Sequence, residues 1–151
     1  MKKILLLAII VLSFIPIKAQ NKIGAGIILG EPTGLSIKYR FNNLNSVEFG
    51  FGESAIREQK RNYYYLDYLF SINELTNFEG RETVYSGIGI QHITKGIAND
   101  LTWGIRGILG LEYMIEAFPL DIFSEVSYVV KFASEFNPSY TVVLGSRFYF
   151  N

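Results

Sequence analysis

The chain has 151 residues, the size of one domain, and its 14 basic and 14 acidic side chains leave a formal net charge of zero. That balance argues against nucleic acid as a partner, because phosphate binding needs a basic excess. The absence of cysteine excludes disulfides, thiolate metal sites and a lipidated N-terminal cysteine. With 10 tyrosines, 12 phenylalanines and 14 glycines, the composition suits a β-rich envelope protein better than a cytosolic enzyme.

At the start of the chain, Lys2 and Lys3 precede an apolar run from Ile4 to Ile17, broken by Ser13 and Pro16. A membrane helix needs about 20 apolar residues. The run is shorter than that, and small Ala19 offers a cleavage position. Residues 1–19 therefore read as a cleaved secretory signal peptide, and 20–151 as the mature domain. An uncleaved N-terminal anchor is the competing reading. No later segment is apolar enough for a transmembrane helix.

The mature chain then alternates with period two, the mark of strands whose successive side chains face opposite sides. Ile23 to Leu29 interleaves Gly24 and Gly26 with Ala25 and Ile27. Leu35, Ile37, Tyr39 and Phe41 oppose Ser36, Lys38 and Arg40. Val47, Phe49 and Phe51 oppose Ser46, Glu48, Gly50 and Gly52. Tyr64, Leu66, Tyr68 and Phe70 oppose Tyr65, Asp67 and Ser71. Val84, Ile88 and Ile90 oppose Tyr85, Gly87, Gly89 and Gln91. Leu101, Trp103, Ile105, Leu109 and Leu111 oppose Thr102, Gly104, Arg106, Gly110 and Glu112. Leu120, Ile122, Val126, Tyr128 and Val130 oppose Asp121, Glu125 and Ser127. Last, Val142, Leu144, Phe148 and Phe150 oppose Thr141, Gly145, Arg147 and Tyr149. These runs predict eight strands. Turn signals separate them at Gly30–Gly34, Asn42–Asn45, Glu53–Arg61, Asn73–Gly80, His92–Asp100, Met114–Pro119 and Lys131–Ser139.

The face opposite the apolar one decides between lipid and water outside. It carries Lys38, Arg40, Glu48, Asp67, Arg106, Glu112, Asp121, Glu125 and Arg147, interleaved with glycines. An eight-stranded barrel has an interior just wide enough for side chains to fill. Opposed charges with glycine spacers would plug it as an ion-pair network, while the apolar face meets lipid. The expected fold is thus all-β: an eight-stranded antiparallel up-and-down transmembrane barrel. Such a barrel must close, since unpaired backbone groups in hydrocarbon cost several kcal/mol each. Aromatics at the run ends, including Tyr39, Phe41, Tyr64, Trp103, Tyr113, Tyr128, Phe148 and Phe150, would form interfacial girdles. A soluble periplasmic β-sandwich or ligand-binding barrel is the competing fold.

The C-terminal LGSRFYFN (Leu144 to Asn151) looks like the aromatic-ended last strand that outer-membrane barrels present to their assembly machinery, with Asn151 following the usual terminal Phe. Gly24 to Phe41 and Gly110 to Val130 together resemble a family of small bacterial outer-membrane barrels with a GEPTG-like first turn and an LEY…APLDIF-like hairpin. Here Phe118 separates Ala117 from Pro119. The resemblance covers both ends of the mature chain. It implies an OmpA/OmpX-like eight-stranded barrel in the outer membrane and brings no catalytic residues. With both termini in the periplasm, the connections near Pro32, Arg57, Lys95 and Asn137 face outside. Those near Asn43, Thr76 and Ala117 face the periplasm.

Few constellations suggest chemistry. Gly24-x-Gly26-x-x-x-Gly30 echoes a dinucleotide loop, but another strand follows instead of a helix. Asp121, Glu125 and Glu112 could act as acid and base, though pairing with the lumen cations is the simpler reading. His92 is the sole histidine. His92-Ile93-Thr94 matches the His-x-Ser of lipid A deacylase barrels in spacing only. Arg57, Lys60 and Arg61 fall in a charged loop of mixed sign, which reads as a solvated surface or, alternatively, as a contact for anionic lipopolysaccharide or a ligand. The expectation is a non-enzymatic monomer without cofactor or metal, its partners being outer-membrane lipid, lipopolysaccharide and the barrel assembly machinery. A lipid-modifying barrel enzyme is the alternative.

Overall fold

The computed structural model describes residues 22–54, 61–77, 80–95, 100–115, 117–132 and 138–150. Residues 1–19, expected to be a signal peptide, and Arg57, Lys60 and Asn137 lie outside the described residues. The strands are β1 (Ile23–Gly30), β2 (Thr33–Arg40), β3 (Asn45–Glu53), β4 (Arg61–Asn77), β5 (Gly80–Lys95), β6 (Asp100–Ile115), β7 (Leu120–Lys131) and β8 (Ser139–Phe150). Each pairs antiparallel with the next. β8 returns to β1, from Ile23↔Phe150 to Gly30↔Val143, so the barrel closes. Closure gives the wall's backbone donors and acceptors partners within the sheet, which is what a hydrocarbon surround demands.

Burial follows the pleat, inverted relative to a soluble domain. Leu35, Leu66, Ile88, Leu109 and Leu144 point outward and are exposed, whereas Lys38, Glu48, Asp67, Arg106, Glu112, Asp121, Glu125 and Arg147 are buried. Arg40 is half-buried beside them. In water, such a face of exposed leucines and aromatics would far exceed the few hundred Å² of apolar patch a soluble monomer tolerates.

The strands outrun the sequence reading in places. The turns expected at Asn73–Gly80 and His92–Asp100 shrink, because β4 continues to Asn77 and β5 to Lys95. Polar residues there have low β-propensity. Yet β4 and β5 pair from Arg61↔Lys95 to Asn77↔Gly80, and β5 and β6 from Gly80↔Ile115 to Lys95↔Asp100. A ladder with partners on a neighbouring strand overrides so weak a preference. A bulge between Ser71 and Asn73 leaves Ile72 as the extra residue, pointing outward.

Local chemistry closes the short turns. After β1, Gly30 takes φ +128°, a conformation L side chains rarely adopt. Its N–H donates to Thr33 Oγ1 at 3.2 Å, and that hydroxyl donates back to Gly30 O at 3.0 Å. After β2, Asn42 Oδ1 accepts from the amides of Leu44 (2.9 Å) and Asn45 (2.8 Å), the side-chain mimic of a backbone turn.

The interior departs from the small-and-charged face read from the sequence. Ile28, Tyr65, Phe123 and Val143 form one buried cluster, and Leu69, Tyr85 and Ile108 another. Ion pairs between long side chains leave gaps in a lumen this narrow, and close packing requires apolar bulk to fill them.

Candidate functional site

The lumen is built from a unit repeated four times. Tyr65 on β4 stands opposite Gly50 on β3, and Tyr85 on β5 opposite Gly110 on β6. Phe123 on β7 stands opposite Gly145 on β8, and Tyr149 on β8 opposite Gly24 on β1. In each pair the ring occupies the space a side chain at the glycine would need. A Cβ at Gly24 would come within 2.7 Å of Tyr149, and those at Gly50, Gly110 and Gly145 would overlap their rings.

Each ring then carries a cation. Arg106 lies 4.0 Å from the Tyr65 centroid, Lys38 4.8 Å from Tyr85, Arg147 3.8 Å from Phe123 and Arg40 4.0 Å from Tyr149. Such contacts are worth about 2 kcal/mol or more when desolvated. All four basic residues expected in the lumen are seated this way.

The five acids complete the network. Arg147 donates to Glu48 at 2.5 Å, to Asp121 at 3.1 Å and to Glu112 at 3.2 Å. Lys38 donates to Glu112 at 2.5 Å. Arg40 also binds Glu112 and lies 3.9 Å from Asp121. Arg106 contacts Glu125 and stands 2.9 Å from Asp67, a charge contact off the hydrogen-bonding angle. Hydroxyls finish the shell. Ser36 and Tyr65 donate to Glu48 (2.8 and 3.4 Å), Tyr149 to Asp121 (2.8 Å) and Tyr85 to Glu125 (3.3 Å). Three phenols thus serve a cation with the ring and an acid with the hydroxyl.

The arrangement resolves a conflict in the register. Glu48 faces Asp67 directly across β3 and β4, and like charges so placed repel. Arg147 takes Glu48 and Arg106 takes Asp67. The sequence places the charges and Tyr65, Tyr85 and Tyr149 on one face, but not Phe123, nor the seating of each cation on a ring. The signal was present in the hairpins, where an inward aromatic on one strand meets an inward glycine on its neighbour.

Outside the lumen, two aromatic rows lie on the outer wall. Phe51, Tyr64, His92 and Trp103 run across β3 to β6 with successive centroids 5.0, 6.2 and 4.4 Å apart. Near the opposite end, Tyr39, Phe41, Tyr68 and Phe70 are spaced 5.2, 6.3 and 5.0 Å. His92, read as lying at a turn, is therefore part of β5. Its Nδ1 is buried and has no hydrogen-bond partner among the described residues. Arg61 likewise opens β4 instead of sitting in the loop, its carbonyl accepting from Ser54 N at 2.9 Å.

Substitutions at the glycine and at the cation test the unit, with an outward glycine as control. Gly110→Leu drives a side chain into the Tyr85 ring and should cost about 1–3 kcal/mol in urea unfolding from detergent. At outward Gly107, whose nearest neighbour to a Cβ is 4.0 Å away, Gly107→Ala should stay within about 0.5 kcal/mol. Arg147→Met leaves Glu48 without a cation among the described residues and takes one partner each from Glu112 and Asp121, and should cost about 3–5 kcal/mol. Adding Glu48→Gln should recover part of that loss.

Neither a protein-family model nor a curated protein matches the sequence. Solved structures do match its fold. The chain is similar to the N-terminal β-barrel domain of Pseudomonas aeruginosa OprF, with TM-score 0.64 and 18% identity over 87% of this chain and 98% of that one. It is also similar to Neisserial surface protein A, with TM-score 0.50 and 12% identity over 85% of this chain and 95% of that one.

Proposed function

We propose that the protein is a small outer-membrane barrel, non-enzymatic, whose rigid wall holds surface connections for contact with the envelope or a partner. The observation that carries this is the inverted burial: exposed leucines, isoleucines and aromatics outside, paired charges inside. The likeness to the OprF domain and the Neisserial surface protein supports the same setting.

Dimensions fit a bilayer. Tyr140 and Phe150 project outward from opposite ends of β8. Ten residues at about 3.3 Å each, tilted by about 40°, put these rings roughly 25 Å apart along the axis, the height of the apolar band in such barrels. Connection lengths support the orientation. At the Pro32 end the strands are joined by residues 31–32, 54–60, 96–99 and 132–138, and at the other end by 41–44, 78–79 and 116–119. The longer connections gather at one end, as external loops do. Arg57, Lys60 and Arg61 belong to that end and would meet lipopolysaccharide phosphates or a ligand. The aromatic-ended β8 would engage the assembly machinery.

A plugged lumen argues against a pore. A cavity at the β2–β3 turn end, lined by residues including Lys38, Arg40, Arg81 and Glu112, holds about 20 Å³, room for one water. His92 packed between Tyr64 and Trp103 reads as part of an interfacial girdle, so His92→Ala should leave lipid A acylation unchanged. Expressed with its leader, the protein should fractionate with outer membranes, resist a carbonate wash and shift in gel mobility only after boiling. In planar bilayers it should give no stable large conductance. Release by carbonate, or a steady open channel, contradicts the reading.

A further inference from the structure

The outer wall carries a groove of about 480 Å³ across β5 to β8. Its sides are Val84, Leu111 and Leu144 and its floor is Ser124, which lies in register between the two leucines. A small side chain flanked by two long ones leaves the depression. One pleat further toward the β4–β5 turn, Glu82 pairs with Tyr113 across β5 and β6, and both line the end of the groove. Glu82 is exposed and has no ion-pair or hydrogen-bond partner among the described residues.

We propose that this groove is a phospholipid site, resting on the outer-membrane reading above. One acyl chain lies over Ser124 between the leucines, and an amine-bearing headgroup meets Glu82. An unfilled groove in a lipid-facing wall forfeits dispersion contacts on one side, and a flexible chain supplies them. The carboxylate sets the headgroup. An outward charge is tolerated near the membrane interface and not at the midplane. Glu82 sits two residues from the start of β5, at the periplasmic end where phospholipid headgroups lie. A carboxylate there attracts an ammonium and repels a headgroup of net negative charge. Tyr113 adds an amphipathic ring at the same level.

The test uses the mature barrel, refolded in vesicles of equal phosphatidylethanolamine and phosphatidylglycerol, with retained lipids counted by native mass spectrometry. The wild-type barrel should keep the ethanolamine lipid over the glycerol lipid by about fivefold, the worth of one interfacial charge. Glu82→Gln should still retain lipid, with the preference reduced to near unity. Ser124→Leu, which fills the groove, should lose both lipids while keeping its heat-dependent mobility shift. Equal retention of the two headgroups by wild type overturns the proposal, as does undiminished retention in Ser124→Leu. A dimer mass lost in Ser124→Leu assigns the groove to a second copy and overturns it too. A barrel that never inserts fails the membrane reading instead, and the mobility shift reports that separately.

Discussion

A charge placed in a closed, narrow lumen has lost its water and must recover that stabilisation from fixed neighbours. The four ring-seated cations of this barrel meet that demand. Each has an aromatic face beneath it and at least one carboxylate beside it. The ring needs a glycine directly across the strand pair to lie where it does. A chain of requirements therefore runs from glycine to ring to cation to acid. Breaking it at the glycine propagates to a buried charge, which is why interior and outward glycines should differ so much in tolerance.

The same demand couples the inside of the barrel to its outside. Filling the lumen with paired charges and the apolar groups packed around them sends the remaining apolar residues of each strand to the outer face, because the pleat offers two sides. An apolar outer face calls for lipid, and lipid calls for a closed sheet. Strand count, closure and charge network thus support one another. The β1–β8 seam is the clearest case. Gly24 on β1 makes room for Tyr149 on β8, which seats Arg40 on β2 and bonds Asp121 on β7. The ends of the chain are joined by packing as well as by backbone pairing.

Much of this was legible in the sequence because period-two alternation is a local signal. The eight runs, the outward residues and the nine charged lumen residues all follow from parity along single strands. What parity does not contain is register. Phe123 and Ile28 fall on the inner face, but their packing with Tyr65 and Val143 depends on which strands meet across the lumen. The ends of β4 and β5 read as turns because they are rich in polar residues, and pairing with a neighbour strand decides those positions. Ser124 looks unremarkable among outward residues until Leu111 and Leu144 are seen on either side.

Trp103 is the single tryptophan of the chain, and it stands on the outer wall in an aromatic row. It therefore reports directly on what the apolar face touches. In vesicles made with lipids brominated at defined depths along the acyl chain, its fluorescence should be quenched, most strongly by bromines near the headgroup. Trp103 emission insensitive to brominated lipid at every depth would show that water or protein covers that face, contradicting the account of a lipid-facing wall around a charged interior.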